Sequence, residues 1–398
     1  MSPEKVQGGL EPSETVAIVG ASLAGGACIT RLRELGFTGR IQAIDCDPFA
    51  PYDRPPLSKR FLAQNTEIET PRWWSPDCEV IRARAVAFDA QRRALRLRDT
   101  SGAERNISAD AVVIATGAQP RRLPIEPDGV FALRTAGDAL ALRHAVDAGA
   151  KHVAVIGAGV LGTEIASSLR QQDLQVSMVD AASLPLVRLL GRGMGARAID
   201  WMKEWNVDLH LGVRIESIRC DHGVCAVTLG SGVAIESDLI ISAVGARPAV
   251  DWLINSGLAI RDGVLCDASG SALSMGHNVV PRVYVAGDVA SVECPNGSFA
   301  RDESWTGAKQ QGVKVAETMY YGAQQTVQPE PPYFWTEQFG RRVQILGRVS
   351  ENGAVSCVKS VPDRNGGLFK VAESGAHVAW IAINAPSLFA QVKAGLLP

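Results

Sequence analysis

The sequence predicts an α/β fold in which one nucleotide-binding unit occurs twice. The stretch "VAIVGASLAGGACITRLREL" (residues 16–35) reads as a short apolar strand, a glycine turn and a helix. From residue 153, "VAVIGAGVLGTEIASSL" repeats that order. In both copies a second apolar strand follows and ends on an acid, "IQAID" in the first and "LQVSMVD" in the second.

In the first copy Gly20, Ser22, Leu23 and Ala24 are the expected contacts of the first nucleotide, FAD, and Ala24, Ala27, Cys28, Leu32 and Leu35 form one apolar stripe that Gly36 can end. Asp45 and then Asp47 close the following strand. Strand, turn, helix, strand and acid is the order of a βαβ mononucleotide fold. In it a pyrophosphate lies over the helix N-terminus and the acid meets the ribose hydroxyls. The three glycines of G-x-G-x-x-G make the tight turn, admit the phosphate to the backbone, and let the helix pack on the strand. The first copy has Gly20, Ser22 and Gly25, so the middle glycine is missing. Serine adds one small side chain whose hydroxyl can donate to phosphate, and the site is expected to survive. The alternative is a turn that merely closes onto an ordinary helix.

The second copy is complete, with Gly157, Gly159 and Gly162 around Leu161, and Gly162, Ile165, Ala166 and Leu169 on the inner helix face. Its strand ends at Asp180, close to the spacing of about 20 residues expected for a ribose acid. No Lys or Arg follows until Arg188. A 2′-phosphate site usually places a cation earlier, so NADH is favoured over NADPH. Two such turns on one chain suit an enzyme that holds both FAD and NADH.

At 398 residues the chain can bury two or three cores, and its 46% apolar and 21% charged residues are ordinary for a globular protein. A net charge of −2 gives no reason to expect a nucleic-acid or membrane partner. No apolar run approaches the ~20 residues that span a bilayer. Residues 1–14, "MSPEKVQGGLEPSE", read as a flexible polar tail without the apolar centre of a signal peptide, so a cytoplasmic protein is expected. The eight cysteines include no C-x-x-C pair, and the closest two, Cys220 and Cys225, suit neither a zinc knuckle nor a common redox dithiol. All eight are expected reduced and mostly buried, with no metal site.

Five strings then occur in order: "PYDRPPLSK" (51–59), "VVIATGAQPR" (112–121), "LIISAVGARP" (239–248), "VYVAGDVA" (283–290) and "RDESWTGAKQQG" (301–312). Together they resemble the FAD-dependent ferredoxin reductases of bacterial oxygenase systems, the family that includes putidaredoxin reductase and the reductase components of biphenyl-type dioxygenases. The resemblance runs from about residue 15 to the end. It implies a glutathione-reductase-type fold with two Rossmann-like dinucleotide-binding domains. Residues 15–120 and 247–326 would form a discontinuous FAD-binding domain and 121–246 the NADH-binding domain. Residues 327–398 would form a small α/β C-terminal domain after a Pro-rich linker.

The resemblance also implies roles. Asp47 takes the place of the acid, more often glutamate, on the FAD adenosine ribose. Arg54 and Lys59 match residues beside the flavin and its phosphates. The "ATGA" segment with Ala115, Thr116 and Gly117 passes the flavin between the domains. Asp288 matches the acceptor for a ribityl hydroxyl, Trp305 a position at the isoalloxazine edge, and Val86 and Arg134 further FAD contacts. Glu164 matches the residue that reaches the nicotinamide carboxamide, and Gly245 completes the NADH side. Lys59, Glu164 and Trp305 are the candidates closest to chemistry. Other readings are an exposed first-turn glutamate at Glu164, turn formers at Asp47 and Asp288, and a core aromatic at Trp305. The usual "FWSDQ" appears as "FWTEQ", with Glu337 for aspartate. Arg341, Arg342 and the arginines from Arg82 to Arg98 read as solvated surface or as a docking patch for an acidic ferredoxin.

Relatives of this layout that reduce disulfides carry a cysteine pair facing the flavin, and "PYDRPPLSKRFL" has no cysteine. Electrons are therefore expected to pass from NADH through FAD to a small [2Fe–2S] ferredoxin, plant-type or Rieske-type, from a reductase that is a monomer or dimer. The alternatives are an NADH oxidase or monodehydroascorbate-type reductase with a small acceptor, and an apoptosis-inducing-factor-like redox binding module.

Overall fold

A computed structural model of the chain describes residues 9–64, 66–71, 74, 77–221, 223–322 and 331–396. Among them are seven helices: α1 (Leu23–Glu34), α2 (Arg60–Gln64), α3 (Ala136–Asp147), α4 (Val160–Arg170), α5 (Val187–Glu204), α6 (Trp305–Tyr321) and α7 (Pro386–Lys393). The chain divides into two compact units, one of Met1–Asp53, Glu69–Gln119 and Arg247–Pro329, the other of Arg54–Ile68, Pro120–Ala246 and Glu330–Pro398.

The first unit is built on a 12-stranded sheet. At its centre Thr15–Val19 lies parallel between Arg40–Asp45 and Ala111–Ile114. All four residues of Ala111–Ile114 are buried, as expected for a parallel strand covered on both faces. Helix α1 packs on α6 so closely that a Cβ on Gly312 would lie 2.2 Å from the Ala24 carbonyl oxygen. Beyond the parallel core, Glu79–Asp89, Ala94–Asp99 and Glu104–Ser108 form an antiparallel meander with a bulge between Ala85 and Ala87.

The polar tail expected over residues 1–14 does not extend through that range. Residues 1–8 lie outside the described residues. Leu10 is fully buried in the core, its N–H donates to Met319 O at 2.9 Å, and Glu14 pairs with Arg282 at 3.3 Å. A buried apolar side chain, a backbone hydrogen bond and an ion pair together anchor the segment. The Pro-rich linker falls mostly on residues 323–330, outside the described residues.

In the second unit a four-stranded parallel sheet runs in the order Asp208–Leu211, Gln175–Asp180, His152–Ile156, Leu239–Ser242. A three-stranded antiparallel sheet follows from Ile215–Asp221, Val224–Leu229 and Ala234–Ser237. The C-terminal part is a five-stranded antiparallel sheet, in the order Tyr333–Gln338, Arg341–Gly347, Ala376–Ile383, Gly366–Glu373, Ala354–Val361, closed by α7. Residues 54–68, which the sequence reading groups with the first unit, pack in the second. The Arg143 guanidinium lies 4.2 Å from the Phe61 ring centroid, and Gln172 Nε2 donates to Leu62 O at 2.7 Å.

The cysteine expectation is corrected at one pair: Cys220 and Cys225 form a disulfide. They are directly opposed across the antiparallel hairpin, Cys220 against Cys225. Opposed residues of such a ladder come close at Cα, here to 4.1 Å, which lets the two side chains meet. The other six are free thiols, Cys28 and Cys266 buried, Cys46 and Cys357 exposed.

Candidate active site

The two glycine turns have nearly the same geometry. Gly20 has φ +102° and Gly157 +107°, a region that disfavours any side chain. A Cβ would lie 2.3 Å from Ala115 O at the first position and 2.4 Å from Ala243 O at the second. At the third glycine of each copy, Gly25 or Gly162, a Cβ would lie 1.9 Å from the carbonyl oxygen of Gly20 or Gly157. The middle residues differ in kind. Ser22 has φ −75° and Gly159 φ −77°, which any residue adopts. A Cβ on Gly159 would meet no heavy atom within 4 Å. The backbone therefore has no need of a glycine there, and serine fits the first turn without strain. What the second copy keeps is open space in front of α4.

The repetition extends to the acids. Ala21 N–H donates to Asp45 Oδ2 at 2.8 Å, and Ala158 N–H to Asp180 Oδ2 at 2.6 Å. The other oxygens accept from Asp47 N and Ala182 N. Asp45 is thus the counterpart of Asp180, while Asp47 accepts from Phe49 N and from the Tyr52 hydroxyl at 2.8 Å. Asp110 and Asp238 likewise hold the starts of the two central strands, at Thr15 and at Lys151 and His152. Those backbone donors, His152 first, hold the Asp238 carboxyl below the usual range.

Within the first unit, Gly20, Ser22, Leu23, Ala24, Ala115, Thr116 and Gly117 gather at the start of α1. Gly287 joins them, since a Cβ there would lie 2.9 Å from Ala24 Cβ, and carries buried Asp288 beside it. Trp305 opens α6, and its indole N–H donates to Asp53 Oδ1 at 3.0 Å. Val86 stands apart, in the bulge of the meander.

Within the second unit, Gly157, Gly159, Leu161, Gly162 and Asp180 surround the start of α4. Gly245, with φ +108°, follows the Ala243 carbonyl that abuts Gly157. Leu186 N–H donates to Ala158 O at 2.9 Å, which brings Arg188 on the first turn of α5 to the same turn. Arg54 lies in the loop before α2, and Arg134 precedes the cap of α3. Helices α1 and α4 have no acid in their first turns, so neither opposes an anion at its positive end.

Glu164 is neither exposed nor in the first turn of α4; it is 6% exposed. Its Oε1 accepts from Lys59 Nζ at 2.7 Å and from the Thr336 hydroxyl at 2.5 Å. Its Oε2 accepts from the Ser58 hydroxyl at 2.5 Å. Lys59 Nζ also donates to Pro55 O at 3.2 Å and lies 5.3 Å from the Trp335 ring centroid. Phe339 N–H donates to Ser167 Oγ at 2.7 Å, so the strand Tyr333–Gln338 is fastened to α4 beyond Thr336 as well.

The model of the pyridine nucleotide-disulphide oxidoreductase family matches residues 14–312. The chain belongs to this family. It is 31% identical to the benzene 1,2-dioxygenase system ferredoxin–NAD(+) reductase subunit of Pseudomonas putida, over 94% of this chain and 90% of that one. It is 30% identical to the biphenyl dioxygenase system ferredoxin–NAD(+) reductase component of Paraburkholderia xenovorans, over 86% and 83%. The solved ferredoxin reductase for the CYP199A2 system of Rhodopseudomonas palustris superposes with a TM-score of 0.84 at 28% identity, over 95% and 94% of the two chains.

Among members of the family this chain is an oxidoreductase with no cysteine in residues 51–62, and its one disulfide among the described residues lies on the Cys220–Cys225 hairpin instead. Sequence reasoning passed over Asp53, Ser58, Trp335 and Thr336. Ser58 was inside the quoted "PPLSK". In "FWTEQ" the departure singled out was Glu337, which is exposed and faces Arg342 at 3.8 Å. The neighbouring threonine is the one that reaches the ion pair. Among the described residues no helix is long and apolar enough to cross a membrane, and no three His, Cys, Asp or Glu side chains stand together as a metal site.

Proposed function

We propose that the chain passes electrons from NADH through FAD to a small [2Fe–2S] ferredoxin that serves a bacterial oxygenase, in the cytoplasm. The observation that carries the reading is the pair of equivalent dinucleotide turns, the second left open at Gly159. The ferredoxin reductases matched over most of the chain support the choice of acceptor.

In this reading FAD lies on the first turn and NADH on the second. The backbone N–H groups at the starts of α1 and α4 point at the two pyrophosphates, where the helix dipole favours negative charge. Ser22 adds a hydroxyl to the first. Asp47 and Asp180 accept from ribose hydroxyls, because each carboxylate keeps lone pairs beyond the backbone and hydroxyl donors it already meets. Glu164 accepts from the nicotinamide carboxamide and fixes Lys59, whose ammonium supplies positive charge close to the reacting rings. Asp53 fixes the tilt of Trp305. When bound, the cofactors supply hydride acceptance and the conversion of two electrons to single ones. No acid–base dyad is required of the protein.

The test is NADH-dependent reduction of cytochrome c with and without the candidate ferredoxin. Strong stimulation by ferredoxin is expected. Turnover that ferredoxin does not change, with oxygen or a small quinone consumed instead, would replace the acceptor with a small molecule.

A further inference from the structure

Glu164 has about four acceptor positions, two on each oxygen. Among the described residues, Lys59 and Thr336 fill both positions on Oε1, and Ser58 takes one on Oε2. Among the described residues one position remains, and it is on Oε2. The three donors come from two separate stretches of chain, residues 58–59 and the strand Tyr333–Gln338, so the carboxylate is held against rotation from two sides. Thr336 itself is fully buried. With it gone, only Lys59 would remain on Oε1, and the carboxylate could turn.

We infer that Thr336 is a positioning residue for nicotinamide recognition, saturating Oε1 of Glu164 so that Oε2 alone is presented to a single carboxamide N–H. This rests on the placement of NADH at the second turn. Recognition is then directional: one donor, from one side, on one oxygen. A nucleotide whose ring carries an acetyl group instead of a carboxamide has no N–H to offer and leaves that position empty.

The test measures binding of NAD+ and of 3-acetylpyridine adenine dinucleotide to the flavin-loaded protein by calorimetry, alongside steady-state KM and kcat with NADH. A hydrogen bond to a charged acceptor corresponds to about tenfold or more in affinity, so the native protein should prefer NAD+ by at least that ratio. Thr336→Val should bring the ratio to within about threefold of one and raise KM more than it lowers kcat; Thr336→Ser should restore both. If the valine variant does not fold, Thr336→Ala gives the same comparison. A ratio unchanged in Thr336→Val, while Glu164→Ala abolishes it, overturns the inference and leaves the placement of NADH standing. A ratio unchanged in Glu164→Ala overturns the placement itself.

Discussion

The three glycines of the second turn should fail in three different ways. In Gly159→Ala the new methyl meets no heavy atom within 4 Å, and φ −77° suits alanine. Alanine is a poorer N-cap than glycine, by up to about 1 kcal/mol, but it also restricts the unfolded chain, which offsets roughly 0.4–1 kcal/mol. The melting temperature should move by no more than about 4 °C. The methyl would nevertheless stand where a pyrophosphate must approach, and NADH affinity should fall about tenfold or more, on the scale of 1–3 kcal/mol for overpacking a tight contact. In Gly162→Ala the methyl lies 1.9 Å from the Gly157 carbonyl oxygen, which is backbone and cannot swing away. The helix must then shift, so stability should fall by several times the Gly159→Ala change. In Gly157→Ala the clash at 2.4 Å adds to the strain of φ +107°, itself roughly 1–3 kcal/mol. Ser22→Gly should leave the melting temperature of the flavin-free protein nearly unchanged, since the Ser22 side chain makes no cap bond, and should weaken flavin retention through loss of the hydroxyl. Circular-dichroism melts and NADH titrations read both quantities. Equal destabilisation by Gly159→Ala and Gly162→Ala would refute the reasoning, and so would unchanged NADH affinity in the former.

Three further outcomes are expected. Glu164 is buried and Lys59 only partly so. Lys59→Met therefore strands a buried carboxylate and should destabilise by up to about 3–5 kcal/mol, whereas Glu164→Gln should cost less because the freed ammonium can reach solvent. The double variant should fall short of the sum by about 1–3 kcal/mol in urea titrations; additive losses would mean the pair is not coupled. Burial pushes the Cys28 thiol from an ordinary 9.0 up to about 12, and Cys266 upward as well. Their contribution is therefore complete below pH 9 and is lost as pH rises from there toward the folded values, at roughly 1 kcal/mol per thiol between pH 9 and pH 10. Cys28→Ala should flatten that decline, and an identical slope in both proteins would count against it. Alkylation of the denatured, unreduced chain should label six cysteines and spare Cys220 and Cys225; eight labels without reductant would exclude the disulfide.

The duplicated strand–turn–helix–strand units are legible in the residues alone, because backbone geometry in such units is local. A positive φ at Gly20 and Gly157, the close approach at Gly25 and Gly162, and an acid at each strand end all leave marks within about 25 residues. The missing glycine at position 22 could also have been judged harmless from local geometry, since that position is a helix N-cap in extended conformation. Only the tertiary structure decided which side chains meet across the chain. Thr336 reaches Glu164 from 172 positions away, because the C-terminal sheet lays its first strand on α4, and nothing in a run of alternating residues says which helix will lie opposite. The pairing of Cys220 with Cys225 depended on strand register, which a slip of one residue would have undone. The packing of the segment that holds Phe61 and Leu62 in the second unit depended on where those two residues were buried, under Arg143 and beside Gln172. Local hydrogen bonding writes the turns into the sequence, whereas the neighbours of a buried polar group are chosen by how whole sheets and helices stack.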